Sequence, residues 1–285
     1  MKKKSIGSWL LIITVLVFLY IPVVVVVVYS FNNNTSRIPV AFTGWTTEWY
    51  HKLFTSRNGF GDALLLSLRV ALWSVALSCV IGTMGAIGMS LHQTRFSRAL
   101  ENLVTLPIMI PEIILGFSLM VIYNALDLHG NELRLVLAHT TFCIPYVFLN
   151  VKSRLVGMDE ALNDAARDLG ANRTRVLFDI TLPLCRPAVL SGSFLALAMS
   201  LDDFVISFFV YGAGEGTLPI KIYSSVKVGI SAQVNALCTL MIGTVFVAVA
   251  MARYLTAVRK KREAEASLAF RRENENTNQF PGNIQ

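Results

Sequence analysis

Long apolar runs, separated by shorter polar stretches, extend along most of the chain. A helix needs about 20 consecutive apolar residues to cross the hydrocarbon core of a bilayer, so each run is a candidate membrane span. Six runs meet this description, at residues 9–29, 63–91, 103–126, 135–151, 188–211 and 236–255. The pattern therefore predicts an all-α, polytopic membrane protein with six transmembrane helices.

Composition agrees with a membrane protein and excludes a soluble globular one. Hydrophobic residues make up 54% of the chain and charged residues only 15%, whereas soluble proteins average about 25% charged residues. The four cysteines lie in or beside apolar runs and have no CxxC spacing, so we interpret them as packing residues and not as a disulfide or metal site. Residues 263–285, rich in Glu, Asn and Arg, are predicted to be a polar, disordered tail.

The chain has a net charge of +7, and the distribution of that charge predicts the orientation. If the N-terminus is cytoplasmic, only a minority of the basic residues lies on the outer side of the membrane. These are Arg37, Lys52, Arg57, Arg134, Lys221 and Lys227. Positive charge is then concentrated on the cytoplasmic side, as membrane insertion requires. We therefore predict cytoplasmic N- and C-termini, and the basic balance gives no reason to expect nucleic acid as a partner.

Residues 159–187 form the most polar helix-capable segment and separate the fourth predicted span from the fifth. Asn163 or Asp164 is predicted to cap a first short helix. Gly170 is predicted to end that helix, because glycine enters positive φ without steric cost. The segment therefore begins as a short helix followed by a turn, on the cytoplasmic side of the membrane.

A second short helix is predicted to follow this turn, over residues 173–180. Leu182-Pro183 is predicted to end it, because proline lacks a backbone N–H and clashes with the preceding turn of a helix. Pro187 would then start the fifth span, since proline is favoured in the first turn.

The spacing of seven residues in this segment resembles the cytoplasmic loop in the membrane subunits of bacterial ABC importers with the type I fold. An acidic residue and two alanines precede a glycine, and an Ile-x-Leu-Pro sequence follows. The matching residues are Asp164, Ala165, Ala166, Gly170, Ile180, Leu182 and Pro183. The resemblance implies that the loop docks into a cleft of a cytoplasmic ATPase and couples its closure to the membrane domain. Asp164 stands where the family usually has glutamate, so its reach is one methylene shorter.

Three acidic residues lie inside predicted spans. A charge in the middle of a membrane costs several kcal/mol, so such residues need a partner or a water-filled cavity. We predict that they give a negative potential to a cation path, with help from aromatic rings and a hydroxyl. The candidate path residues are Asp202, Asp203, Glu112, Phe204, Ser207 and Tyr146. Adjacent helix positions point about 100° apart, so Asp202 and Asp203 border one cavity only on a broad or locally unwound helix. Alternatively, one acid caps a broken helix or pairs with a basic residue of a partner subunit.

Other residues within the spans are predicted to serve packing. Three glycines at intervals of three residues favour close approach of the second span to another helix. They are Gly82, Gly85 and Gly88. Pro107 and Pro111 are predicted to break or kink the third span beside Glu112. His139 is predicted to be a hydrogen-bonded packing residue and not a ligand.

Three further sequences make the resemblance more specific, to the second permease subunit of the spermidine/putrescine ABC importers. They lie at residues 200–207, 218–229 and 234–236. The similarity extends over nearly the whole chain, from the first span to about residue 255, and residues 1–262 are accordingly expected to form a permease domain. The resemblance implies that the chain forms the membrane path for polyamines.

The resemblance also implies partners in the inner membrane of a bacterium. They are a second, homologous permease subunit, two copies of a cytoplasmic ABC ATPase and a periplasmic solute-binding protein. The chain contains no Gly-x-x-x-x-Gly-Lys-Ser/Thr phosphate loop, so we expect no cofactor of its own and ATP with Mg on the ATPase. Segments 31–62 and 212–235 are the candidates for contact with the binding protein.

Two other interpretations of the sequence stay open. The chain could be an ABC importer permease for another small solute, such as a thiamine-like cation, an amino acid derivative or an anion. It could also be an intramembrane enzyme in which Asp202 and Asp203 share a proton and activate water. Acidic pairs of that kind normally come from separate helices, which disfavours the enzyme.

Overall fold

The computed structural model describes residues 6–34, 41–55, 59–91, 94–159, 161–212, 216–229 and 232–247, together with 250–251, 253–254 and 257–258. Within these ranges the chain is helical, and the β-type pairing is one isolated bridge between Asn32 and Trp45. The all-α prediction is therefore confirmed. The predicted tail, residues 263–285, lies outside the described residues.

The helices of the described residues are numbered in chain order. They are α1 (Ile6–Tyr29), α2 (Glu48–Thr55), α3 (Phe60–Leu91), α4 (Arg95–Met109), α5 (Glu112–Ala125), α6 (Asn131–Val156), α7 (Ala161–Asp168), α8 (Arg173–Val176), α9 (Leu182–Asp202), α10 (Val205–Tyr211), α11 (Leu218–Val228) and α12 (Ala232–Val247). A π-helical segment, Leu177–Thr181, joins α8 to α9.

Four continuous helices are long and apolar enough to cross a membrane. They are Trp9–Tyr29, Phe60–Leu91, Asn131–Val156 and Arg173–Asp202. Helices α4 and α5 would make a fifth crossing if the pair, which is bent by 108°, is one span. Helix α12 is apolar but shorter than these. The membrane-type helical fold is thus confirmed, and the count of six crossings stays a prediction.

The third predicted span, residues 103–126, is two helices with a sharp break. Thr94 caps α4 in a capping box. Its side chain accepts a hydrogen bond from the Ser97 backbone N–H, and its own backbone N–H donates to the Ser97 hydroxyl. Pro111 lies at the break, where α5 begins, as predicted. Pro107, by contrast, lies within α4. The bend therefore has a single location, immediately before Glu112.

The fifth predicted span starts earlier than expected, and the prediction that Leu182-Pro183 ends the preceding helix is wrong. The helix runs without interruption from Arg173 to Asp202. In the π segment the Leu182 N–H donates to the carbonyl of Leu177, five residues back instead of four. This wider turn comes directly before Pro183, where an α-helix would otherwise lose a hydrogen bond and meet the proline ring.

The same span also ends earlier than the predicted residue 211. Helix α9 stops at Asp202, because Asp203 has an extended backbone (φ −65°, ψ 118°), and α10 resumes at Val205. The two acids therefore lie at a local break, one of the two arrangements that would let both border a cavity.

The residues from Leu53 to Val228 form one compact unit, and the described residues before and after them form a second. In the first of these units α3, α6 and α9 pack against one another. A Cβ on Gly82 of α3 would lie 3.0 Å from Val147 Cβ, and a Cβ on Gly192 of α9 would lie 2.8 Å from Val147 Cα. The two glycines thus let α3 and α9 approach the same stretch of α6. At Gly88 a Cβ would meet nothing within 4 Å, so only part of the glycine prediction is confirmed.

Substitution of Gly192 by alanine is expected to destabilise this three-helix packing. The added methyl group would meet the backbone of α6, which cannot rotate away as a side chain can, and overpacking of this kind costs about 1–3 kcal/mol. A lower midpoint temperature for unfolding of the purified protein in detergent is the expected result. Gly88→Ala, on α3, is the control and should leave the midpoint unchanged. Equal midpoints for the two variants would contradict the packing assigned to Gly192.

In the second unit, the polar and aromatic segment after α1 folds back on the end of that helix. The indole N–H of Trp49 donates to the Asn32 carbonyl at 2.8 Å, and the hydroxyl groups of Tyr50 and Ser30 lie 2.7 Å apart. Two aromatic side chains of this segment are therefore tied to the end of α1 by hydrogen bonds.

Candidate functional site

The break between α9 and α10 is built around the carboxylate of Asp203. One oxygen accepts the backbone N–H of Ile206 at 3.2 Å, and the other accepts the backbone N–H of Ser207 at 2.8 Å and its hydroxyl at 2.7 Å. The side chain is 5% exposed. Asp203 thus satisfies the free amides at the start of α10, which have no partner inside the helix.

A histidine on α6 contacts this carboxylate and its serine from the buried side. His139 Nε2 lies 2.9 Å from Ser207 Oγ and 3.5 Å from Asp203 Oδ2, while Nδ1 lies 2.7 Å from Ser200 Oγ on α9. Ser200 Oγ in turn lies 3.4 Å from Ser74 Oγ on α3. As predicted, His139 is a hydrogen-bonded packing residue, and its 1% exposure keeps it away from solvent.

A cavity of about 180 Å³ opens on the other side of the break. Its walls come from the end of α4, the start of α5, the middle of α6 and the residues around the break. The lining residues are Pro107, Ile108, Ile110, Glu112, Leu115, Phe142, Tyr146, Met199, Asp202, Asp203, Phe204, Val205 and Ile206. Of the six predicted path residues, all except Ser207 line this cavity. Ser207 lies behind the wall, bonded to Asp203.

The three acids at the cavity have different environments. Asp202 and Glu112 are exposed and make no hydrogen bond or ion pair with the described part of the chain. Asp203 differs from both, because its oxygens already accept three hydrogen bonds from within the chain. No lysine or arginine of the described residues lines the cavity. Two available carboxylates without a nearby cation give the cavity a negative potential.

Aromatic rings complete the cavity wall. Phe204 packs on Tyr223 of α11, with ring centroids 4.5 Å apart, and on Phe208 at 5.6 Å. Tyr146 is half-buried on the α6 side. A cation over the face of such a ring is attracted by its quadrupole, and more strongly when it is desolvated. The cavity therefore combines acids and aromatic faces, a chemistry suited to an organic cation.

Sequence reasoning predicted His139 as a hydrogen-bonded packing residue but did not connect it to the break, and it did not find Ser74 or the role of Ser200. Ser74, Ser200 and His139 come from three different helices, and only the packing of α3, α6 and α9 brings them together. One signal was available, since Ser200 and Ser207 lie three residues before and four residues after Asp203. That spacing places small hydroxyl groups on the same helical face as the acid.

The polar segment contains the predicted first helix, α7, but with a different cap. Asp159 accepts the N–H of Ala161 at 3.0 Å, so Asp164 lies inside the helix and the predicted cap at Asn163 or Asp164 is wrong. The side chain of Asp159 reaches the free amide because α7 begins two residues after it. The second helix has its own cap, since Asn172 accepts the N–H of Arg175 at 2.8 Å.

Gly170 ends α7 as predicted. Its φ is +84°, the left-handed region that favours glycine. The Gly170 N–H donates to the Arg167 carbonyl at 2.8 Å, and the Ala171 N–H donates to the Ala166 carbonyl at 3.0 Å. This pair of bonds is a Schellman motif, which satisfies the last carbonyls of the helix.

The seven residues of the predicted coupling loop divide into two groups. Asp164, Ala165, Ala166 and Gly170 lie on α7 or its turn, where Leu169 beside them is 89% exposed. Ile180, Leu182 and Pro183 are half-buried at the root of the long helix that leads to Asp202. Leu162 of α7 is also exposed, so α7 and its turn carry two exposed leucines outside the apolar spans.

A sequence profile of binding-protein-dependent transport system inner membrane components matches residues 78–260, which include the cavity, the break and the polar loop. The chain belongs to this family. The inner membrane component described here is therefore a multi-pass permease, and not an enzyme built on Asp202 and Asp203.

The permease is similar to curated proteins over most of its length. It is 37% identical over 265 residues to the putrescine transport system permease protein PotI of Escherichia coli (strain K12), covering 90% of this chain and 93% of that protein. It is 35% identical over 242 residues to the spermidine/putrescine transport system permease protein PotC of Haemophilus influenzae, covering 85% of this chain and 93% of that protein.

Solved structures of ABC transporters have the same fold as the permease. A chain of a bacterial ABC transporter involved in the import of the acidic polysaccharide alginate has a TM-score of 0.66 at 12% identity, covering 90% of this chain and 99% of that chain. A chain of the inward-facing MetNI methionine ABC transporter has a TM-score of 0.56 at 17% identity, covering 68% of this chain and 92% of that one. At these identities the similarity concerns the fold, and the fold class predicted from the polar loop is confirmed.

No group of three or more His, Cys, Asp or Glu side chains within the described residues could hold a metal ion. The described cysteines are free thiols, with Cys143 and Cys185 buried.

Proposed function

We propose that this permease forms the translocation path for polyamines, such as spermidine and putrescine, in an ATP-driven importer. The observation that carries the proposal is the cavity at the break, which has two exposed carboxylates and no basic residue among its described lining. The relatives named as putrescine and spermidine/putrescine permeases support the same cargo class.

The chemistry of the cavity fits a flexible polycation. A polyamine carries ammonium groups separated by methylene chains, so it can contact separate acids with its charges and an aromatic face with its chain. We assign Asp202 and Glu112 as the charge contacts and Tyr146 and Phe204 as the aromatic contacts. Asp203 and Ser207 belong to the path by shaping its wall. Two charge contacts and two aromatic contacts would bind the cargo weakly enough for it to leave, which transport requires.

The proposed assembly contains a second, homologous permease as heterodimer partner, two copies of a cytoplasmic ABC ATPase and a periplasmic solute-binding protein. ATP and Mg would be bound by the ATPase. The exposed surface of α7, with Asp164, Ala165, Ala166 and Gly170, would dock on it, and Ile180, Leu182 and Pro183 would join that surface to the long helix. The distribution of basic residues supports cytoplasmic N- and C-termini.

The proposed cargo is tested by uptake into proteoliposomes that contain the complete transporter, with its binding protein supplied outside. Spermidine and putrescine are expected to compete with each other for ATP-dependent uptake. Asp202→Asn or Glu112→Gln should raise the KM for spermidine about tenfold each, because loss of one charge contact to a partly desolvated cation costs roughly 1–2 kcal/mol. Thr141→Ala, at a partly buried position on α6 that does not line the cavity, is the matched control.

Two outcomes would contradict the polyamine assignment. The first is uptake that a thiamine-like cation, an amino acid derivative or molybdate inhibits and that polyamines leave unchanged. The second is an unchanged KM in both acid variants, since the cavity would then make no charge contact with the cargo.

A further inference from the structure

The imidazole of His139 is the centre of a hydrogen-bonded chain that connects four helices of the unit Leu53–Val228. Its two nitrogens contact Ser207 Oγ at 2.9 Å and Ser200 Oγ at 2.7 Å. His139 itself does not line the cavity. The ring of Phe142, which does, packs against it with centroids 5.1 Å apart. A residue in this place acts on the path through its neighbours.

The directions of the hydrogen bonds follow from the donors available. The Ser207 hydroxyl donates to Asp203 Oδ2 at 2.7 Å, so its oxygen is free to accept a hydrogen bond from His139 Nε2–H. In the neutral imidazole Nδ1 is then an acceptor, and the Ser200 hydroxyl donates to it. This tautomer satisfies every polar atom in the chain from Ser200 to Asp203.

We infer that His139 is a positioning residue, whose Nε2–H holds the Ser207 hydroxyl on the Asp203 carboxylate and thereby keeps the chain broken between α9 and α10. The contact with cargo assigned to Asp202 depends on this break, and in that respect the inference rests on the proposed function.

The reason lies in the competition between two arrangements of the same residues. If Asp203 no longer caps α10, the amides of Ile206 and Ser207 lose their acceptor, and the carbonyls of Asp202 and its neighbours become the nearest replacement. Hydrogen bonding to those carbonyls would wind α9 and α10 into one helix. Adjacent helix positions point about 100° apart, so winding would turn Asp202 and Asp203 to different sides. His139 thus stabilises the arrangement in which both acids border the cavity.

Two substitutions separate the two nitrogens of the ring. Glutamine can place an amide N–H near the position of Nε2 and keep the bond to Ser207. Asparagine is shorter and can replace only Nδ1, so it keeps the acceptor for Ser200 and loses the donor to Ser207. If His139 acts through Nε2, His139→Gln should retain function and His139→Asn should not. If His139 only fills space, His139→Gln should not retain more function than His139→Asn.

Amide hydrogen exchange of the assembled transporter in nanodiscs measures the break without any cargo. In H139N the Ile206 and Ser207 amides are expected to exchange roughly tenfold faster, the ratio for loss of one buried hydrogen bond. H139Q should remain within about twofold of the unchanged protein, as should the control T141A on α6. Equal acceleration in H139N and H139Q, or none in either, would overturn the inference.

A double substitution tests whether Ser207 carries the effect. S207A removes the hydroxyl that connects His139 to Asp203 and should itself accelerate exchange at residues 206 and 207. The H139N/S207A variant is expected to exchange no faster than S207A alone, because both changes break the same connection. If the increases in exchange rate of the two single variants multiplied in the double variant, His139 would act by another route and the assignment would be overturned. Should H139N fail to insert, H139Q still tests the inference, because exchange in H139Q as fast as in S207A would overturn it.

Spermidine uptake by the same variants connects the break to transport. H139N should raise the KM several-fold, with a smaller change in maximal rate, and H139Q should restore it. If the unchanged transporter takes up no polyamine, the proposed function fails, while the exchange measurement still decides the role of His139. Faster exchange in H139N with an unchanged KM for spermidine would overturn the connection between His139 and Asp202.

Discussion

Asp203→Asn is expected to reduce ATP-dependent uptake by about two orders of magnitude while the ATPase remains attached to the permease. The carboxylate offers two acceptor oxygens to three donors, from the Ile206 amide, the Ser207 amide and the Ser207 hydroxyl. An asparagine amide offers one oxygen and places an NH2 group against the remaining donor. The asparagine oxygen can accept both Ser207 donors, as one Asp203 oxygen does, so the Ile206 N–H is the donor left facing the NH2 group. A buried donor left without a partner costs about 1–3 kcal/mol, and the upper end of that range corresponds to the expected loss.

Asp202→Asn is the matched comparison, because it removes the same charge one residue away. Asp202 is exposed and has no hydrogen bond to the described residues, so the break should keep its structure. We expect a raised KM with a nearly unchanged maximal rate, whereas Asp203→Asn should lower the maximal rate. Co-purification of the ATPase with both variants checks assembly. The same kinetic profile for both variants would contradict the separate roles given to the two acids.

Gly170→Val is expected to uncouple ATP hydrolysis from uptake. Nothing lies within 4 Å of a Cβ at this position, so the cause is the backbone and not a clash. At φ +84° a β-branched residue is strained by more than the ~1–2 kcal/mol that an ordinary L-residue pays in the left-handed region. Relief of that strain would break the Schellman bonds and change the orientation of α7 relative to α8. The ratio of ATP hydrolysed to spermidine imported should rise about tenfold. A tenfold change corresponds to about 1.4 kcal/mol, and the two lost hydrogen bonds together contribute at least that much.

Two controls separate backbone strain from a general effect of substitution in the loop. Gly170→Asn should preserve coupling, because asparagine tolerates the left-handed region. Gly157→Ala changes a glycine with an ordinary φ of −88° at the end of α6 and should also preserve it. Uncoupling by Gly170→Asn as strong as that by Gly170→Val would contradict the argument from φ.

Apolar runs predicted the helical membrane fold because the bilayer requires them directly. The positions where the helices end were harder to predict, since local rules compete there. Pro183 has the sequence signal of a helix end, yet the π turn before it removes the need for an N–H at that position. At the other end of the same helix, nothing in the apolar pattern marks the break, which the Asp203 cap produces in the middle of a continuous run.

The candidate site could be predicted in its chemistry and not in its support. Acids inside apolar runs are visible in sequence because burying them is costly, and Asp202, Asp203 and Glu112 do line one cavity. The bonds to His139 depend on which face of α6 meets α9, and that depends on Gly192, whose role appears only when its neighbour Val147 is known. Contacts between helices distant in sequence leave no periodic signal in a single chain.

The helix from Arg173 to Asp202 has a mechanical consequence. With 30 residues it is about 45 Å long, and it has the polar loop at one end and the acid pair at the other. A tilt of ~5° about the end beside the polar loop would displace the far end by roughly 4 Å, which is more than the length of a hydrogen bond. No intermediate element would be needed to transmit the motion, so a force applied at the polar loop would reach the acid pair through one continuous helix.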